Sequence, residues 1–163
     1  MNMRTKHTHN MERHQTANIT ILPYMQDYKY LLALLCAPCG IYLSNLIFPE
    51  QATSMQSINH LDMAIQIIIS PVIEELTFRG VLQEGLLAHQ PLRAKIPLLK
   101  ISLANLLTSI LFATSHCLAR TNMTGLNVFI PSLIFGWCKE RYVIIISCII
   151  MHSFYNFSYL IFA

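Results

Sequence analysis

The sequence predicts an all-α membrane protein, a polytopic bundle of about five transmembrane helices, and three observations predict it. Of the 163 residues, 54% are hydrophobic and 12% charged, well to the apolar side of an ordinary soluble domain. Apolar runs near the ~20 residues that cross a hydrocarbon core recur along the chain. Lysine and arginine gather in alternate connections between those runs.

Residues 1–28 read as a polar cytoplasmic arm and 29–163 as one helical domain. The arm contains His7, His9 and His14 without apolar periodicity, which suits a solvated tail better than a metal site. It is not expected to be a signal peptide, because the first apolar run starts only near Tyr30. Residues 30–48 carry no charge and form the clearest span. Residues 63–87 form the second, interrupted by Glu74, Glu75 and Arg79, with Pro71 expected to kink it one turn before Glu74. The third is expected over 97–118 and the fifth over 142–163. The fourth, 124–138, is short for a crossing and contains Pro131 and Gly136, which suits a short, tilted or re-entrant segment.

Arg4, Lys6, Arg13 and Lys29 precede the first span, Arg93, Lys95 and Lys100 lie between the second and third, and Lys139 and Arg141 between the fourth and fifth. Arg120 alone lies on the other side, a nine-to-one asymmetry. By the positive-inside rule the N-terminus is cytoplasmic, the C-terminus is outside and the fourth segment crosses. The net charge of +3 is spread over the loops, so nothing supports nucleic-acid binding. Five cysteines, three in apolar runs, do not form a disulfide framework, and Cys36 and Cys39 lack the βαβ context of a redox pair.

Ionisable groups at mid-membrane cost about 2.5–3.5 kcal/mol each on insertion scales, so Glu74, Glu75 and Arg79 together demand a reason. Gln66, Ser70, Glu74 and Thr77 share one helical stripe, whereas Glu75 and Arg79 are an i,i+4 pair on the next. Glu75 thus has a counter-ion in its own helix, and Glu74 is left as the candidate general base. The third span aligns Asn105, Thr108, Ser109, Phe112 and His116; the fifth aligns Cys148, His152, Asn156 and Tyr159. Polar stripes turn away from lipid, so the three should converge on a cavity able to activate water and stabilise an oxyanion, the needs of amide hydrolysis. A structural ion pair and polar packing are the plainer alternative for each residue taken singly.

Glu74-Glu75-Leu76-Thr77-Phe78-Arg79 fits E-E-x-x-x-R, Phe112 to His116 fits F-x-x-x-H, and His152 to Asn156 fits H-x-x-x-N. In that order, each on its own apolar segment within 63–157, these motifs resemble the CPBP (Abi, or type II CAAX prenyl protease-like) family of intramembrane glutamic endopeptidases. The resemblance implies that Glu74 and His116 activate the attacking water, that His152 and Asn156 form the oxyanion hole, and that Glu75 and Arg79 hold the site in place. It also implies a short bacterial member in the inner membrane, needing no cofactor or metal. The implied partner is a membrane-anchored precursor that loses a C-terminal sorting tail or is processed in a CAAX-like way. The depth of His116 favours a cavity open to the outer face. Two other chemistries use the same residues or neighbours: a zinc site built from Glu74, His116 and His152, without H-E-x-x-H, and a thiol nucleophile at Cys117 or Cys148. A non-enzymatic membrane chaperone or immunity protein is the alternative of another class.

Overall fold

In the computed structural model, residues 22–47, 59–120 and 123–162 are described. Most of the arm expected over 1–28, with its three histidines, lies outside them. After a single turn at Leu22–Met25, five helices follow: α1, Tyr28–Ile47; α2, residues 60–87; α3, Leu103–Arg120; α4, Phe129–Tyr142; α5, Ile145–Phe162. No strand occurs among the described residues, and the one isolated bridge joins Lys95 to Ser102.

Each boundary has a local cause. Asn59 caps α2, its side-chain oxygen accepting the Asp62 amide at 2.8 Å. Pro71 has no amide proton and its ring presses on the carbonyl four residues back. The disruption expected there takes the form of a π-helical turn, Ile65–Ile69, just before it, and a second π stretch runs over Leu76–Gln83. The third helix starts later than the apolar run suggests. Residues 97–99 are a turn, Lys100 is left-handed at φ 56°, and Ser102 Oγ caps α3 by accepting the Asn105 amide at 2.9 Å. The fourth segment is shifted likewise: Met123–Val128 is a 3-10 turn and the α-helix runs on to Tyr142, past the expected 138. Pro131 falls in its first turn, where a missing amide proton costs nothing. Val143 at φ 62° ends α4, its amide donating to Lys139 O at 2.9 Å, so α5 begins at Ile145 and Tyr142 belongs to α4.

Helix α5 packs on α1, α2 and α4, and α3 closes the other side against α2 and α4. Ala33 and Ala37, one turn apart and buried, let α1 approach α5 closely. There Tyr155 donates to Ala33 O at 2.8 Å and Tyr30 to Ser147 O at 2.9 Å. A Cβ at Gly136 would run into the Asn105 carboxamide, so glycine is what allows α3 and α4 to meet, with Asn105 Nδ2 donating to Leu133 O at 3.0 Å.

Polarity is distributed opposite to a water-soluble protein. Glu75, Arg79, Gln83, Asn105, Thr108 and Ser109 are fully buried, whereas Leu32, Leu35, Ile68, Ile73, Ile110 and Leu111 are exposed. Among the described residues one helix, Ile145–Phe162, is long and apolar enough to cross a membrane, with Tyr28–Leu43 and Leu103–Ala119 as shorter apolar stretches. The 14 residues of α4 reach only about 21 Å at 1.5 Å each.

Candidate active site

Two consecutive carboxylates on α2 face different partners. Glu75 is fully enclosed. Its Oε2 lies 3.4 Å from Arg79 Nε, an ion pair without hydrogen-bond geometry, and its Oε1 accepts from His152 Nδ1 of α5 at 2.9 Å. Arg79 is held in turn by α4, where Nη2 donates to Ser132 Oγ at 2.8 Å and to Ser132 O at 3.0 Å. Its guanidinium lies over Phe112 of α3, 4.9 Å from the ring centroid, and 5.8 Å from that of Phe135. Phe135 stacks on His152 at 4.7 Å. Four helices thus meet at one buried charge pair, which costs about 3–5 kcal/mol to break by removing one partner.

Glu74, a quarter exposed, turns toward the histidines. Its Oε2 is 3.7 Å from His116 Nε2 and 3.8 Å from His152 Nε2, and makes no hydrogen bond to any described residue. The other nitrogen of each ring is committed: His116 Nδ1 lies 3.0 Å from Phe112 O, and His152 Nδ1 bonds Glu75. With Nδ1 so committed, Nε2 is the atom that each ring turns to Glu74. Two ring nitrogens and a carboxylate oxygen therefore meet at one place, each nitrogen too far from the oxygen for a direct hydrogen bond.

Five of the six expected residues, Glu74, Glu75, Arg79, His116 and His152, are brought together. Asn156 reaches α2 at another point: its Nδ2 donates to Gln66 O at 2.8 Å, in the π turn, and it bonds none of the other five. One amide proton is used there and the second remains. The stripes also shed members, since Gln66 and Thr77 are exposed, Thr77 Oγ1 donates back to Ile73 O at 2.8 Å, and Tyr159 is 49% exposed. Among the described residues no three His, Cys, Asp or Glu side chains are placed to hold a metal ion. Cys117 has no bond to His116, and Cys148 donates to Phe135 O at 3.5 Å in the α1–α5 core.

Sequence reading missed Ser132, Gln83 and Glu140. Gln83 Nε2 donates to Gly136 O and to Glu140 Oε1, both at 3.1 Å, and Ser102 Oγ donates to Glu140 Oε1 at 2.5 Å. The available signal was spacing: Gln83 follows Arg79 by four residues, on the same side of α2.

A family model described as type II CAAX prenyl endopeptidase Rce1-like matches residues 56–158, which span all three motifs. The chain belongs to this Rce1-like family. Neither the curated proteins nor the solved structures contain a match. The Rce1-like family is one of proteases, so the chain is assigned a protease role in general and a membrane-associated setting.

Proposed function

We propose that this protein is a multi-pass intramembrane endopeptidase that hydrolyses a peptide bond of a membrane-anchored precursor, with Glu74 as general base. The observation that carries the reading is the convergence of His116 Nε2 and His152 Nε2 on Glu74 Oε2, at 3.7 and 3.8 Å. Water held in that gap gives a proton to Glu74 while its oxygen adds to the scissile carbonyl. The oxyanion takes hydrogen bonds from the ring of His152, whose other nitrogen Glu75 holds, and from the second amide proton of Asn156. Collapse breaks the C–N bond, and the proton on Glu74 passes to the leaving amine. Arg79 holds Glu75 in place; it does not touch substrate.

The apolar exterior and buried polar interior support a bundle embedded in the bacterial inner membrane. The lysine and arginine asymmetry supports a cytoplasmic N-terminus. On that orientation the basic end, where Lys139 meets Glu84 and Arg141 meets Asp27, faces the cytoplasm. The test is cleavage of a membrane-anchored precursor reconstituted with wild-type protein and with Glu74→Gln. Loss of cleavage with normal insertion supports the reading. Cleavage by Glu74→Gln at the wild-type rate rejects a glutamate base, and undiminished function without any cleavage points to a peptide-binding protein.

A further inference from the structure

We propose that the water consumed in hydrolysis reaches the carboxylates from the basic end of the bundle, along a buried polar ladder through Gln83 and Arg79. This rests on the hydrolytic reading of Glu74 and adds the route of its second substrate. A peptide and a water must both arrive at Glu74. Beside Glu74 in the chain, Ile73 and Leu76 are 59% and 48% exposed, an apolar surface suited to a lipid-borne peptide and not to water. Water needs another entrance.

At the basic end is a pocket of about 290 Å³ lined by Glu84, Arg93, Lys95, Ser102, Lys139 and Glu140. Glu140 is also the first rung inward, since its Oε1 takes hydrogen bonds from Ser102 and Gln83. Gln83 and Arg79 are four residues apart on α2, Gly136 and Ser132 four apart on α4, and Thr108 and Phe112 four apart on α3. The bonds from Gln83 to Gly136 and from Arg79 to Ser132, with Phe112 against Arg79, set these levels one above another. Along this line four wholly buried polar atoms have no hydrogen-bond partner among the described groups: Gln83 Oε1, Thr108 Oγ1, Arg79 Nε and Arg79 Nη1. They comprise an acceptor, a hydroxyl and two donors, the complement that water satisfies by accepting from a guanidinium and donating to an amide oxygen. The line ends at Glu75, whose neighbour is the proposed base. The core between α1 and α5, built largely of tyrosine, alanine and cysteine side chains, has a single such atom among the described residues, Tyr24 Oη.

The experiment uses Thr108→Cys protein in membrane vesicles of known orientation, exposed to Ag⁺ on one face, a cation small enough to follow water. After denaturation, alkylation and peptide mass spectrometry report the block at every cysteine separately, with buried Cys148 as the dry reference. From the face bearing Lys139 and Arg141, the introduced thiol should be blocked at least 10-fold faster than Cys148, and faster than from the opposite face. Adding Gln83→Leu should slow that block at least 10-fold. A rate equal to that of Cys148, access from the opposite face alone, or no slowing by Gln83→Leu overturns the proposal. If Gln83→Leu does not insert, the comparison of the two faces decides alone. Thiol block needs no turnover, so failure of the glutamate-base reading would show in the cleavage assay and leave these rates unchanged.

Discussion

The basic end and the interior of the bundle each hold ion pairs, and the closer pairs are at the end. Arg141 Nη2 lies 2.6 Å from Asp27 and Lys139 Nζ 2.9 Å from Glu84, whereas Arg79 Nε stands 3.4 Å from Glu75. Distance alone would rank them in the wrong order. Glu84 is 61% exposed, so water and salt screen its attraction, while Glu75 and Arg79 are at 0%, enclosed by His152, Ser132, Phe112 and Phe135. The end pairs align helix termini; the interior pair fixes a ring nitrogen and thereby a direction of approach to Glu74.

The largest expected effect belongs to the interior. Glu74→Gln should lower turnover by about 10²–10⁴, the usual contribution of a positioned base. Its melting temperature in detergent should stay near wild type, because Glu74 Oε2 bonds no described residue. A large loss of stability instead would place Glu74 in the scaffold and erase its contrast with Glu75.

Glu75→Gln should fail in the opposite manner. It leaves the Arg79 charge buried and His152 without its carboxylate, so a destabilisation of about 3–5 kcal/mol should accompany lost activity. Denaturation in mixed micelles measures it, and a variant as stable as wild type would show that the pair is not enclosed.

Asn156→Ala separates two roles that the geometry permits. If the second amide proton serves the oxyanion, turnover at saturating precursor should fall by about 10²–10³ with crosslinking of uncleaved precursor retained. If only the bond to Gln66 O matters, crosslinking or stability should drop with little change in single-turnover rate.

Gly136→Ala probes the interior through shape alone. The added methyl meets the Asn105 carboxamide, so α3 and α4 should separate at a cost of about 1–3 kcal/mol, read as a lower melting temperature. An unchanged melting temperature would mean that Asn105 moves aside freely.

The smallest effects are expected at the basic end. The Lys29 backbone amide and then the Arg141 guanidinium hold the Asp27 carboxyl at about 2, against an ordinary 3.8. A depressed carboxylate stabilises the fold above its unfolded value and loses that contribution as it is protonated. The bond between Arg141 and Asp27 should therefore be intact above pH 4 and lost as the pH falls through about 2. Melting temperatures over that range should decline in wild type and decline less in Asp27→Asn. Lys139→Met, which breaks a pair exposed on its Glu84 side, should cost about 1 kcal/mol or less.

By itself the sequence determined the helical class, the approximate places of five helices and six candidate residues, of which five gather. It could do so because lipid-length apolar runs and i,i+4 spacing are local properties, and Glu75 with Arg79 or Phe112 with His116 sit on one turn whatever packs against them. Helix ends were less legible: Leu98 and Leu99 extend an apolar run yet lie in a turn that left-handed Lys100 closes, and left-handed Val143 divides α4 from α5. Tertiary structure alone decided which nitrogen of His152 meets Glu75, that Asn156 spends a proton on the carbonyl of Gln66, and that Ser132, Gln83 and Glu140 stand behind the site. Those contacts join residues 53 to 90 positions apart. They depend on the crossing of whole helices and on a π turn that frees a carbonyl, and neither leaves a period in the sequence.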